Sequence, residues 1–190
     1  MKGLTVGFAL CGSFCTFGKA IDALEQVKRS GADVLPIMSE TAYGTDTRFG
    51  TARSFHERIE AICGRPICHT LTEAEPIGPK KLIDLLIVAP CTGNTLGKLA
   101  GGITDSVVTL AAKAHLRNER PLLLAVSTND ALAASAENIG KLFRAKYIYF
   151  VPMRQDDPQT KHASVVADFG KVLPAAELAV QGKQMQPVLL

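Results

Sequence analysis

The chain has 190 residues, 47% of them hydrophobic, 21% charged and 6% aromatic, with a formal net charge of +3 at pH 7. A charge this small, spread along the chain, argues against a nucleic-acid-binding protein, and the apolar runs are too short to span a membrane. The length suits one well-filled domain, so we expect a single cytoplasmic domain over residues 1–190, with a core at about 3–180 and a C-terminal tail at 181–190.

The sequence holds five cysteines, at positions 11, 15, 63, 68 and 91. An odd number in a chain of this size argues against a disulfide framework. The spacing of Cys63, Cys68 and His69 also differs from the CxxC pairs of structural zinc sites, and a small buried residue is the commoner role of cysteine. We therefore predict no metal site.

Short aliphatic runs alternate with amphipathic segments, a pattern typical of βαβ units on a parallel sheet. The first half of the chain predicts a strand at 4–10, a helix at 17–29, a strand at 33–38, a polar functional loop, and a helix at 52–63. Pro36 inside the second strand indicates either that this strand lies at an edge of the sheet or that the strand is locally irregular.

The second half predicts a short helix at about 79–83, a strand at 85–89, a helix at 105–116, a strand at 121–127, a helix after the Asn129-Asp130 cap, and a strand at 147–151. Residues 154–164 are expected to form a solvated loop and residues 164–180 a last helix, with the tail packed on another chain. The predicted fold class is α/β, a three-layer Rossmann-like or flavodoxin-like fold with a parallel central sheet flanked by helices.

Polar residues follow four of the predicted strands at the point where each strand ends. In an open parallel sheet these ends meet along one edge, where ligands bind near a change of strand order. Glycines and hydroxyls there suit a polar, planar or phosphorylated ligand, and the helix N-terminus after the first strand favours an anion. The candidate ligand-binding residues are Gly12, Ser13, Ser39, Thr41, Pro90, Thr92, Gly93, Asn94, Thr95, Ser127 and Asn129.

Each of these signals also has a purely structural interpretation. Gly12-Ser13 lacks the lysine of a Walker A loop and the glycines of a dinucleotide-binding fingerprint, and a tight turn with a helix cap needs the same residues. Cys91 requires a lowered pKa to act as a nucleophile, and the sequence shows no partner base at a known spacing. A small buried side chain is the alternative for Cys91.

The segment Pro90-Cys91-Thr92-Gly93-Asn94-Thr95 resembles a signature of the flavoprotein family, which contains flavin-dependent cysteine decarboxylases and flavin prenyltransferases. That signature is Pro-Ala-Ser-Ala-Asn-Thr, and the matches are at its proline, asparagine and final threonine. The Gly12-Ser13 turn is similar to the family's flavin-phosphate loop, and Ser39 to its second phosphate contact. The resemblance covers about residues 3–150 and implies an FMN site and a homo-oligomer, since the family forms trimers or larger assemblies.

The departures from the family pattern concern catalysis. The decarboxylase branch has a catalytic histidine fourteen residues before the motif proline, where this chain has Pro76. Of that branch's Pro-Ala-Met-Asn segment only Asn129 remains, and its cysteine-bearing substrate clamp near the C-terminus is missing. Decarboxylation of a cysteine substrate is therefore not expected, and no residue is assigned as a catalytic acid or base.

Segments along the whole chain, including 75–105 and the ending 186–190, resemble one other branch of the family. This resemblance implies an oxidoreductase subunit that works in the mother cell of a sporulating bacterium. It implies a small dicarboxylate substrate, NADP bound by a nicotinamide-binding partner chain, and FMN or a phosphate in this chain's pocket. The alternative is a non-catalytic binding or regulatory subunit that retains the pocket without chemistry of its own.

Overall fold

A computed structural model describes residues 1–190. Seven strands form one sheet, with bounds β1 Thr5–Leu10, β2 Asp33–Met38, β3 Leu85–Cys91, β4 Leu122–Thr128, β5 Ile148–Phe150, β6 Met153–Asp157 and β7 Lys161–Ala167. The α-helices are α1 Phe17–Arg29, α2 Glu40–Gly44, α3 Ala52–Cys63, α4 Leu71–Ala74, α5 Gly93–Gly101, α6 Val107–Leu116, α7 Ala136–Phe143 and α8 Val172–Ala179. No helix is long and apolar enough to cross a membrane.

The sheet is mostly parallel, and its strand order places a switch point between β1 and β3. Strands β2, β1, β3, β4 and β5 run parallel in that order, so the chain moves outward from β1 in both directions. On the side away from β3, strand β4 pairs with two strands: its residues 122–124 pair with β5, and its residues 127–128 pair antiparallel with β7. Strand β6 pairs antiparallel with β7 and forms the edge of the sheet. The predicted fold class is confirmed.

Helices cover both faces of the sheet and create two hydrophobic cores. Helices α1, α3 and α8 pack on one face, and α5, α6 and α7 on the other, so the molecule has three layers. Helix α1 has the predicted bounds, and the spacing of its apolar residues explains its packing. Its five predicted core residues, Phe17, Ala20, Ile21, Leu24 and Val27, are fully buried.

The edge position predicted for β2 from Pro36 is also confirmed. Strand β2 pairs with β1 on one side only, and its other side meets one residue of an extended segment. There the backbone N–H of Cys68 donates to the carbonyl of Pro36 at 2.9 Å, and the N–H of Met38 donates to the carbonyl of Cys68 at 3.0 Å. The proline is tolerated because the outer edge of β2 needs few hydrogen bonds.

The prediction of a short helix at 79–83 is wrong. Helix α4 forms earlier, because the Thr70 hydroxyl accepts from the N–H of Glu73 while the Glu73 carboxylate accepts from the N–H of Thr70. This capping box satisfies two free donors and begins the helix at Leu71. A 3-10 turn over Glu75–Ile77 follows, and the side-chain amide of Asn118 then binds the carbonyl of Gly78 at 2.9 Å.

The predictions of a solvated loop at 154–164 and of a long last helix at 164–180 are wrong as well. Strands β6 and β7 form a hairpin there, and α8 covers only Val172–Ala179. The Asp157 carboxylate accepts from the backbone N–H groups of Gln159 and Thr160, which fixes the turn between the two strands. Val165 and Ala167 of β7 are buried, so one face of the hairpin completes the core.

The helix after β4 begins later than predicted, at Ala136, because local hydrogen bonds turn the preceding residues away from helical geometry. The Asp130 carboxylate accepts from the hydroxyls of Thr128 and Ser135, at 2.5 and 2.9 Å. The backbone N–H of Leu132 donates to the carbonyl of Ala163 in β7. Leu132, expected on the buried helix face, is therefore 57% exposed.

The C-terminal tail packs on its own chain, and its packing on another chain stays a prediction. The Gln184 carboxamide accepts from the N–H of Phe150 at 2.8 Å and donates to the carbonyl of the same residue at 2.7 Å. Further along, Val188 and Leu190 form backbone hydrogen bonds with Met153. The tail thus follows β5 and the start of β6.

Helix α6 carries a buried histidine, His115, which contributes to the core. Its Nε2 lies 2.8 Å from the carbonyl oxygen of Pro121 at the start of β4. Burial lowers the pKa of His115 to about 4, and the contact with the carbonyl opposes this shift only in part. The imidazole is therefore neutral at neutral pH.

Candidate functional site

A cleft of about 920 Å³ opens at the carboxyl ends of β1, β3 and β4, on both sides of the switch point. This is the position where open parallel sheets bind ligands, and the volume lies in the range of small-molecule and cofactor sites. The cleft is lined by Gly12, Ser13, Phe14, Cys15, Thr16, Lys19, Arg48, Phe49, Thr92, Gly93, Asn94, Ser127, Thr128, Asn129, Asp130, Asp156, Lys161, Ser164, Val165 and Val166.

The structure brings together seven of the eleven residues proposed from the sequence. The seven that line the cleft are Gly12, Ser13, Thr92, Gly93, Asn94, Ser127 and Asn129, which come from three different strand ends. The other four, Ser39, Thr41, Pro90 and Thr95, do not line it. The strand ends therefore converge as predicted, although the loop after β2 contributes less than expected.

The four residues outside the cleft have structural roles. Ser39 caps α2, since its hydroxyl accepts from the N–H of Ala42. Thr41 packs beside Gly12 through its methyl group, and Pro90 is buried within β3. Thr95 is buried below the cleft floor, where its hydroxyl contacts the Sγ of Cys11 at 3.3 Å.

Three hydroxyls meet at the base of the cleft. The Oγ of Ser13 lies 2.9 Å from the Oγ of Ser127, and the Oγ1 of Thr16 lies 3.2 Å from that same Ser127 atom. Thr16 also donates to the carbonyl of Ser13 at 2.9 Å. Thr16 was not predicted, because only the three-dimensional approach of β1 and β4 places its hydroxyl beside Ser127.

The loop between β1 and α1 presents free backbone donors to the cleft. The N–H groups of Gly12, Phe14 and Cys15 donate no hydrogen bond within the chain. The 13-residue helix α1 begins directly after a 3-10 turn, and its N-cap, Thr16, accepts no capping bond through its side chain. Free N–H groups beside a helix N-terminus favour an anionic ligand.

Asn94 and Asn129 carry the free carboxamides of the cleft. Both side chains are exposed, both line the cleft, and neither forms a hydrogen bond within the chain. Each carboxamide can donate and accept, which suits the polar edge of a heterocyclic ring. Neighbouring Thr92 is used differently, because its hydroxyl caps α5 by accepting from the N–H of Thr95.

Gly93 is required by close packing rather than by an unusual backbone angle. A Cβ atom at this position would lie 2.7 Å from Thr128 Oγ1, 2.8 Å from Asp130 Oδ1 and 2.8 Å from Ser135 Oγ. Contacts this short do not occur in folded proteins, so a side chain at Gly93 would displace the hydrogen-bonded group around Asp130. That group forms one wall of the cleft.

The charged side chains in the cleft leave two cations without partners. The Nζ of Lys161 lies 2.7 Å from a carboxylate oxygen of Asp156, whereas Lys19 and Arg48 form no ion pair. Oδ1 of the Asp130 carboxylate accepts from two hydroxyls. The cleft therefore suits an anion, and its cations were missed because they lie in segments that the sequence marked only as a helix and a polar loop.

Cys91 is a structural residue. Its side chain is fully buried, and burial raises the pKa of its thiol well above the ordinary value. Burial likewise raises the pKa of the neighbouring Cys11 to about 11. The buried position agrees with the small-residue interpretation and gives Cys91 no access to the cleft.

None of the four histidines lines the cleft. His56 and His69 stack on the two faces of Tyr43, with ring centroids 4.0 and 3.8 Å apart, while His115 is in the core and His162 is on the hairpin. Position 76, where the decarboxylases of the family carry their catalytic histidine, is a proline in a 3-10 turn. The cleft has no imidazole for acid–base catalysis.

Comparison with known proteins identifies relatives over the whole chain. The sequence model of the Flavoprotein family matches residues 1–175. The B subunit of dipicolinate synthase from Bacillus subtilis is 40% identical over 190 residues, which is 100% of this chain and 95% of that protein. The crystal structure of the dipicolinate synthase B subunit from Bacillus halodurans has a TM-score of 0.92 and 42% identity, and the match covers 100% of this chain and 97% of that one.

A more distant structure shares only the fold. It is a dodecameric FMN-dependent UbiX-like decarboxylase from Escherichia coli, with a TM-score of 0.65 and 22% identity. The match covers 78% of this chain and 80% of that one.

Proposed function

Because the chain belongs to the flavoprotein family and is similar over its full length to the B subunit of dipicolinate synthase, we propose that it fills this role. In this role it works with a nicotinamide-binding partner, the A subunit of dipicolinate synthase, in the mother cell of a sporulating bacterium. Together the two chains oxidise dihydrodipicolinate to dipicolinate. The substrate loses a hydride, which reduces NADP, and a proton, which passes to solvent.

The observation that carries this proposal is the cleft at the switch point of the sheet. It combines free N–H donors after β1, a cluster of hydroxyls and two unpaired cations, all of which suit an anionic, planar ligand. The small dicarboxylate of the proposed reaction has this character.

The residues of the cleft also fit FMN. The N–H groups of Gly12, Phe14 and Cys15, with the Ser13 hydroxyl, would hold its phosphate, and the carboxamides of Asn94 and Asn129 would contact its ring. A flavin supplies hydride-transfer chemistry when it is bound. The same N–H groups also suit a phosphate alone, so the site accommodates either ligand.

The chain's own residues bind and orient the ligand in this proposal. For hydride transfer a protein mainly has to position the reactants and stabilise charge. The cleft supplies hydrogen-bond donors for this and contains no imidazole base. Pro76 argues against decarboxylation, because the decarboxylases of this family have a catalytic histidine at the corresponding position. NADP is assigned to the partner, because this chain lacks a glycine fingerprint for a dinucleotide.

The proposal is tested by mixing the purified chain with its partner, dihydrodipicolinate and NADP, and following NADPH by absorbance. We expect NADPH formation by the mixture to exceed that of the partner alone. If the partner alone reaches the full rate, this chain has no catalytic role, and the proposed function is wrong.

A second candidate is a non-catalytic binding subunit, which the lack of an imidazole in the cleft favours. The visible spectrum of the freshly purified chain helps to separate the two. Flavin bands, or flavin released on denaturation, support the cofactor role, whereas a colourless protein that does not bind added FMN contradicts it. We also propose a homo-oligomer, a trimer or a multiple of it, to be measured by light scattering.

A further inference from the structure

The loop between α2 and α3 carries a rigid turn at the mouth of the cleft. Thr47 and Gly50 exchange two backbone hydrogen bonds, of 3.0 and 3.1 Å, and the Thr47 hydroxyl accepts from the N–H of Phe49 at 3.2 Å. Arg48 and Phe49 are the two residues at the tip. The backbone and the Thr47 hydroxyl therefore hold this tip, without help from the side chains of Arg48 and Phe49.

The base of the turn is fixed to α3. The Asp46 carboxylate accepts from the N–H of Ala52 at 2.8 Å, where the helix begins. Gly50 has a φ of +151° and packs against Phe55, whose ring carbon would lie 2.8 Å from an added Cβ. Both ends of the turn are thus attached to the helix, so the tip is presented in a defined position.

Apart from their contact with each other, the side chains at the tip have no ion-pair, hydrogen-bond or stacking partner. Phe49 is 46% exposed and stacks on no other aromatic ring. The guanidinium of Arg48 lies 4.9 Å from the centroid of the Phe49 ring and forms neither an ion pair nor a hydrogen bond. Both residues line the cleft. The ring and the guanidinium are therefore both available to a ligand in the cleft.

The chemistry of the pair indicates the kind of ligand. A guanidinium binds a carboxylate through two parallel hydrogen bonds, and an aromatic ring packs on a flat ring. Neither carboxylate that lines the cleft pairs with Arg48. Oδ1 of Asp130 accepts from two hydroxyls, and Asp156 pairs with Lys161. The free N–H groups that suit a phosphate lie on a different element, the loop after β1.

We propose that the turn Thr47–Gly50 recognises the substrate, with Arg48 binding a carboxylate of a planar ring dicarboxylate and Phe49 packing on the ring. This inference rests on the proposed function and adds the residues that select its substrate. It separates the cleft into a carboxylate-binding side at Arg48 and a phosphate-binding side at Gly12–Cys15.

The test measures binding of pyridine-2,6-dicarboxylate by titration calorimetry, with the chain alone and in complex with its partner and FMN. We expect Arg48→Gln to weaken binding by about tenfold or more, since a charged hydrogen-bonding partner is lost, and Arg48→Lys to weaken it less. Phe49→Leu should weaken binding without changing the number of sites. Binding of FMN should stay unchanged in all three variants.

Arg53→Gln is the matched control, because Arg53 is exposed on α3, pairs with Glu57 and lies outside the cleft. It removes the same charge and should leave binding of the dicarboxylate unchanged. Equal binding by wild type and Arg48→Gln, or equal losses in Arg48→Gln and Arg53→Gln, would overturn the inference, as would absence of binding by the complex. The NADPH assay judges the proposed function separately, since it does not depend on which residue holds the carboxylate.

Discussion

Gly93→Ala is expected to destabilise the protein, against the usual effect of replacing a helical glycine. The added methyl group would lie 2.7–2.8 Å from the oxygen atoms of Thr128, Asp130 and Ser135, so each oxygen must retreat by about half an ångström to reach van der Waals distance. These atoms also hydrogen-bond to one another, and they cannot all retreat while keeping those bonds. Overpacking of this kind costs about 1–3 kcal/mol of the free energy of unfolding.

Gly97→Ala on the same helix is the matched control. The nearest atom to an added Cβ at Gly97 is Asn138 Nδ2 at 3.5 Å, which is an ordinary contact. This substitution should therefore stabilise the protein by about 0.5–1 kcal/mol, as alanine does in a helix interior.

Thermal and urea unfolding measure both variants. For a chain of this size, each kcal/mol shifts the Tm by about 2–4 °C, so the two variants should move in opposite directions. If Gly93→Ala matched Gly97→Ala or exceeded it in Tm, the close approach at Gly93 would not constrain the wall of the cleft, and the reasoning would be refuted.

Three further predictions concern particular side chains, two of them exposed and one buried. Only Cys15 among the five thiols is exposed, so a chromogenic disulfide reagent should titrate one thiol in the native protein and none in Cys15→Ser; two or more fast thiols would contradict the buried positions of the others. The pKa of His115 is lowered from 6.5 to about 4, so the unfolded chain takes up a proton at a higher pH than the folded chain. The free energy of unfolding should therefore fall by up to about 3 kcal/mol as the pH drops from 6.5 toward 4. In urea unfolding, His115→Gln should lose less free energy of unfolding than the wild type between pH 6.5 and pH 4. If both proteins lost the same amount, His115 would not cause the pH dependence. Asn94→Ala should weaken FMN binding by about 1–3 kcal/mol and leave the Tm unchanged, because the exposed carboxamide has no partner within the chain; unchanged affinity would remove Asn94 from the site.

The elements with a strong hydrophobic period could be predicted from the sequence almost to the residue. Helix α1 and strand β2 have the predicted bounds, because a continuous apolar face or run decides both of them. The β6–β7 hairpin could not be predicted in this way. Arg154 and Gln155 are exposed, and only one side of the hairpin is covered, so its polar residues resemble those of a loop.

The part of the candidate site that lies at strand ends could be predicted from the sequence. The part that comes from the loop between α2 and α3 could not. Ser13 and Ser127 are 114 residues apart, yet both lie near the carboxyl end of a parallel strand, so their convergence follows from topology. Arg48 belongs to a loop whose path is fixed by a short turn and by its attachment to α3. No periodicity in the sequence shows that this turn brings Arg48 and Phe49 to the cleft.

The attachment of Gln184 to Phe150 has a consequence for how this molecule meets other molecules. A glutamine carboxamide offers the same donor and acceptor as a peptide group, and here it binds both backbone groups of Phe150, the last residue of β5. An uncovered strand in this position could template the addition of a strand from a second molecule, which is the first step of edge-to-edge aggregation. A single side chain thus covers the outward backbone groups of Phe150 and hinders strand addition at this end of β5.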